Sequence, residues 1–226
     1  MTNPILLICQ GRSGSTTLLR IFNSIDNCNI CGENWNMIES LMEFYERLKK
    51  TKAQPGFTNN YSDAEYPSWY NVFDINNAVK GLKELILNLY YRDRNEIWGF
   101  KEIRIGLEDY GKFSTMLLNF KELFEDVKIV LLYRNDIENQ ITSGWWSEDK
   151  AASRILLMNQ RENFIKFNRE NPDYTYLLTM DDIISKNNNF MNMFRFLDLK
   201  FEILKIDKII GNKIDYLDFN TDQNSD

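Results

Sequence analysis

The chain has 226 residues, 27 basic against 33 acidic side chains for a net charge of −6, and 43% apolar residues. That length suits one full domain over residues 1–226 and is short for two, and the acidic balance argues against a general nucleic-acid binder. With no histidine and three cysteines, the chain has no Ser-His-Asp triad, no Cys-His pair, no histidine general base and no disulfide framework.

Cys28 and Cys31 have C-x-x-C spacing but no second pair to complete a metal site, so they read as structural. No apolar run reaches the length of a membrane span, and no basic region precedes an apolar signal core, so the expected location is cytoplasmic with no membrane partner.

In chain order, residues 5–9 (ILLIC) form a continuous apolar run bounded by glycine, the mark of a buried parallel strand. Helical spacing follows at 16–24, a short extended piece at 30–34, and a second helix at 36–50 with basic residues at its end. Residues 51–70, with Pro55, Gly56 and Pro67, read as a long irregular loop of the binding or lid type, carrying Trp69 and Tyr70. Asp74 caps a helix running to about Tyr91. Strands are expected at 97–101, 127–133 and 174–178, and helices at 112–125, 137–146 and 150–171. Two short helices are expected over 181–197, broken near 187–189. Beyond Lys200 the pattern fades, and 220–226 reads as a frayed polar tail. Strands alternating with helices predict a three-layer α/β fold, with a mostly parallel central sheet and helices on both faces.

The first strand runs into Gly11-Arg12-Ser13-Gly14-Ser15-Thr16-Thr17, a glycine loop opening a helix. Small residues let the backbone approach an anion, helix N–H groups point at it, and the hydroxyls of Ser15, Thr16 and Thr17 add donors where a helix needs caps. The Walker spacing and its lysine are absent; Arg12 offers a bidentate fork instead. Two further strand ends carry charge: Lys101-Glu102-Ile103-Arg104, and Arg134 with Ser143 one helix later. Parallel strands bring such ends to one side of the sheet, where ligands bind in open α/β folds. The aromatic pair Trp145-Trp146 and the 51–70 loop are candidates for the wall of a second pocket.

These motifs resemble the sulfotransferases that use 3′-phosphoadenylyl sulfate (PAPS). Residues 11–18 are similar to that family's 5′-phosphosulfate loop. The stretch 129–143, with Arg134 and Ser143 or Thr142, is similar to its 3′-phosphate motif, and 98–104 and 180–199 are similar to later family segments. The resemblance spans roughly residues 5–200. It implies a P-loop-like sulfotransferase fold, an enzyme of the EC 2.8.2 type, and PAPS as the donor with no metal required. The acceptor it implies is a hydroxyl of a carbohydrate, a small molecule or a protein tyrosine. Carried over residue by residue, Gly11, Arg12, Ser13, Gly14, Ser15, Thr16, Thr17, Arg134 and Thr142 or Ser143 hold the nucleotide. Arg12 and Lys101 serve the leaving phosphate and the sulfuryl group. Glu33, in Cys31-Gly32-Glu33-Asn34, is similar to the glutamate base of tyrosylprotein and some carbohydrate members, and Glu102 is the other candidate base. The readings set beside it are a small-molecule P-loop kinase and a non-catalytic nucleotide-binding protein of the same fold.

Overall fold

A computed structural model describes residues 3–54, 57, 74–91, 97–107 and 109–211. Most of the 51–70 loop, including Trp69 and Tyr70, and the 220–226 tail lie outside the described residues. Five parallel strands make one sheet in the order β2-β3-β1-β4-β5. They are β1 (Asn3–Cys9), β2 (Cys28–Cys31), β3 (Ile97–Glu102), β4 (Lys128–Tyr133) and β5 (Thr175–Thr179). The extended piece expected at 30–34 begins earlier, at Cys28, and leaves Glu33 just past the strand end.

Every strand of the sheet is covered on both faces, and the period-two alternation of side chains sorts the core. Leu6 and Ile8 of β1 join Trp98, Phe100, Ile129 and Leu131 on one side. That side is covered by α2 (Met37–Lys52), α3 (Ile75–Tyr90), α4 (Tyr110–Leu123) and α6 (Lys150–Glu170). Ile5, Leu7 and Cys9 face the other side with Val130, Leu132 and Leu178. There they meet α1 (Ser15–Phe22), α7 (Met180–Ser185), α8 (Asn188–Phe196) and α9 (Ile203–Gly211). This is the expected three-layer α/β arrangement.

Two elements depart from the sequence reading. Residues 137–146 are not one helix: α5 (Ile137–Gln140) stops, and a 3-10 turn (Gly144–Ser147) follows. Gly144 sits at φ +63°, a left-handed conformation in which an α-helix cannot continue and which glycine adopts most cheaply. The second departure is α9, where no helix was expected. It carries no acidic residue in its first turn to announce it, yet it buries Ile206 against the α1 face.

Candidate functional site

The C-terminal ends of β1, β2, β3 and β4 open on a cleft of about 580 Å³, lined by the 11–17 loop, Glu33, Lys101, Arg104, Arg134 and Ser143. Its floor is set by local geometry. Arg12 and Gly14 both have positive φ, 62° and 83°, so the chain leaving β1 turns sharply and presents the start of α1. Gly14 itself is the N-cap, and no side chain caps this helix. That corrects the capping role expected of Ser15, Thr16 and Thr17. Uncapped amides at a helix start are the donors an anion needs. Ser13 is fully buried and donates its hydroxyl to Gln10 O at 2.6 Å, so its side chain shapes the loop and does not reach the cleft.

On one side of the loop, Ser143 lines the cleft and its Oγ accepts from Arg12 Nε at 3.4 Å. Thr142 is exposed, donates to Asn139 O at 2.7 Å and is not among the lining residues. Ser143 is held there by the turn that closes α5, its amide and hydroxyl both donating to Gln140 O at 3.3 and 3.1 Å. Arg134 follows β4 directly and joins the same lining.

On the other side a chain of charges runs from Lys101 to Glu102. Lys101, at the end of β3 and nearly buried, donates to Glu33 Oε1 at 2.5 Å. Arg104 Nη1 spans Glu33 Oε2 at 3.0 Å and Glu102 Oε1 at 2.9 Å. The two candidate carboxylates are placed in different surroundings. Glu33 has a side chain one-third exposed and lines the cleft. Glu102 is wholly buried, and its oxygens accept four backbone N–H bonds, from Asn34, Asn36, Ile103 and Arg104. Burial pushes its pKa up, but the four amides outweigh burial and hold it below the usual carboxylate range. A carboxylate saturated in that way ties two loops together and has no lone pair turned to the cleft.

What Glu102 holds is the 33–36 turn. Trp35 and Asn36 both lie in the left-handed region, φ 54° and 60°, an outlier conformation for a bulky side chain. The Trp35 ring is 82% exposed, and the Arg104 guanidinium lies 4.3 Å from its centre.

Three buried glutamines complete the scaffold, and sequence reasoning gave none of them a role. Gln10 donates to Leu157 O at 2.7 Å and accepts from the Arg134 amide at 3.1 Å. Gln140 donates to Gly11 O at 2.6 Å. Gln160 donates to Ile103 O at 3.2 Å and Ile105 O at 2.8 Å. Each ties one strand-end loop to a neighbouring element and satisfies a backbone group that neither helix nor strand could satisfy. Nothing local marks them: Gln140 follows Asn139, and Gln160 lies between Asn159 and Arg161.

Among the described residues no cluster of three or more His, Cys, Asp or Glu side chains could hold a metal ion, and no helix is long and apolar enough to cross a membrane. The three cysteines form no disulfide, Cys9 and Cys28 being buried and Cys31 half-buried; burial pushes the Cys9 and Cys28 thiols up to about 12.

The fold has solved counterparts. The sulfotransferase domain of the Synechococcus PCC 7002 olefin synthase superposes with a TM-score of 0.55 at 17% identity, over 90% of this chain and 76% of that one. A sulfotransferase domain from the curacin biosynthetic pathway superposes at 0.51 and 16% identity, over 94% and 79%. At these identities the likeness is one of fold. No curated protein matches in sequence. The model of one sulfotransferase family matches residues 4–209, a span that holds all of the sheet but Asn3 and every residue lining the cleft, and the chain belongs to that family.

Proposed function

We propose that this enzyme transfers the sulfuryl group of PAPS to a hydroxyl acceptor, with Glu33 as the base. The observation that carries the reading is the joining, in one cleft, of an uncapped helix start and three cationic side chains (Arg12, Lys101, Arg134) with a carboxylate, Glu33, already hydrogen-bonded to Lys101. This set fits the donor. The N–H groups opening α1 and Arg12 suit a 5′-phosphosulfate, and Arg134 with Ser143 suits a 3′-phosphate. The donor supplies an activated sulfuryl group on a good leaving phosphate.

Glu33 takes the proton of the acceptor hydroxyl as its oxygen bonds to sulfur. Lys101, which touches Glu33, stabilises negative charge on the oxygen that leaves with the 5′-phosphate, and Arg12 with the α1 amides does the same for the sulfuryl and phosphate oxygens. Arg104, held in turn by Glu102, orients Glu33. The cation set performs the electrostatic work for which other phosphoryl-type transfers use a divalent metal.

Thermal unfolding with adenosine 3′,5′-bisphosphate (PAP), compared with ATP–Mg²⁺, tests the donor assignment. A ligand at 100 times its Kd adds about 2.7 kcal/mol of stability, so PAP is expected to raise the melting temperature and ATP–Mg²⁺ to leave it nearly unchanged. Stabilisation by ATP–Mg²⁺ alone overturns the reading and favours a kinase. Transfer of labelled sulfate from PAPS to an acceptor panel then separates an enzyme from a nucleotide-binding protein.

A further inference from the structure

Beside the cleft lies a second cavity, of about 400 Å³, between the start of α2, the start of α4 and the 104–107 loop. Arg104 lines both spaces, so the second opens next to the arginine that holds Glu33. Its walls include Ile105, Leu107, Phe113, Met116 and Trp146. The charged groups on its border are already engaged with one another. Lys112 pairs with Glu39 and Glu43, and Asp109 accepts from the Lys112 amide as the cap of α4. What the cavity offers a ligand is therefore mostly apolar surface, bordered by charges that are already paired. Trp35 rests on the same arginine, exposed and held in a strained conformation by the Glu102 carboxylate rather than by burial of its ring.

We infer that this cavity is the acceptor subsite and that it takes a neutral hydroxyl compound with an apolar body, the Trp35 ring contributing its outer contact. The inference rests on the proposed transfer reaction and narrows its acceptor. A sugar would bring a ring of hydroxyls with few unpaired polar groups to receive them, and each unmatched group costs affinity. An alkyl or aryl body instead removes apolar wall from water. The volume lies within the range of small-molecule pockets.

The test is calorimetric titration of the PAP-saturated protein with straight-chain primary alcohols from butanol to octanol, with 4-ethylphenol, and with methyl glucoside. The expected result is affinity rising about fourfold per added methylene, binding of 4-ethylphenol, and no binding of the glucoside. Leu107→Trp, which narrows the cavity, should erase the gain for the longer alcohols, and Trp35→Ala should weaken all of them severalfold. Both variants should keep the affinity for PAP, which also shows that they fold. Glucoside binding as tight as octanol, alcohol affinity independent of length, or a Leu107→Trp protein that binds octanol as the parent does would each overturn the acceptor assignment and leave the donor reading standing. Failure of the parent protein to bind PAP would overturn the donor reading and this inference with it.

Discussion

Glu33, just past β2, and Glu102, the last residue of β3, share Arg104 and differ in what their oxygens already do. Glu33→Gln keeps the shape and removes the base, so turnover should fall by at least about 100-fold with PAP affinity nearly unchanged; steady-state kinetics beside PAP calorimetry reads both. Glu102→Gln should act through the fold instead. An amide presents N–H groups to backbone donors that need acceptors, at a cost of about 3 kcal/mol in a urea melt, and the melt would be unmoved if Glu102 were only a spare base. Gln140 acts at one remove, since its amide holds the Gly11 carbonyl. Gln140→Leu leaves that buried carbonyl unpaired, for about 1–3 kcal/mol of stability, and a loosened loop should weaken PAP binding while the acceptor KM holds. Arg12 and Arg134 could be named from the sequence because charge after an apolar run has one common use in a parallel sheet, and Glu33 from the likeness of Cys31-Gly32-Glu33-Asn34 to the family's base segment. The three glutamines could not, because their partners are backbone groups 129, 147 and 57 residues away and local sequence carries no trace of such a bond. Which of Ser143 and Thr142 faces the cleft is likewise not legible locally; it is set by the turn after α5, where Thr142 bonds back to Asn139 O and Ser143 to Gln140 O.

Strands were the most legible elements. β1, β3, β4 and β5 lie within a residue or two of their expected places, because buried parallel strands are unbroken apolar runs with little else to be. The capped helices α3, α4 and α6 were equally plain, each preceded by an aspartate that accepts from its first turn. What failed was local signal without a cap: α9, recruited by packing alone, and the break after α5, which hangs on one glycine. A different glycine fixes the register at the centre of the sheet. Gly99 of β3 pairs with Ile5 of β1, and a Cβ there would come within 1.8 Å of the Ile5 carbonyl oxygen. No rotamer relieves a clash with backbone, so Gly99→Ala should force the two strands apart. A loss of about 3 kcal/mol or more is expected in chemical denaturation, and a neutral Gly99→Ala variant would refute the close approach.

Across the whole molecule, acid should unfold this protein through carboxylates that the fold holds in hydrogen bonds, Glu102 buried and Asp182 half-buried. For Glu102, burial raises the pKa and four backbone amides lower it further than burial raises it. For Asp182, burial again acts upward, and hydrogen bonds from Asn187, Thr179 and Asn189 carry it below its ordinary value. In the unfolded chain both groups return to ordinary values near pH 4. The unfolded state then binds more protons than the native one as the pH falls through that range. Their contribution is complete above about pH 5 and is lost progressively below it. Unfolding free energies at pH 7, 5 and 4 should be level over the first interval and drop over the second, and the drop should be shallower in Glu102→Gln. A flat profile down to pH 4 would contradict this account.

The position of β1 at the middle of the sheet, with β2 and β3 on one side and β4 and β5 on the other, divides labour along the chain. Arg134 and Ser143 come from the β4 side, Glu33, Lys101 and Arg104 from the β2–β3 side, and only the 11–17 loop stands between them. Ile105, Leu107, Phe113 and Met116 wall the proposed acceptor cavity and do not line the cleft. For laboratory evolution this means a library confined to those four codons, which would retune the accepted hydroxyl while the base, its arginine and the nucleotide grip stay as they are.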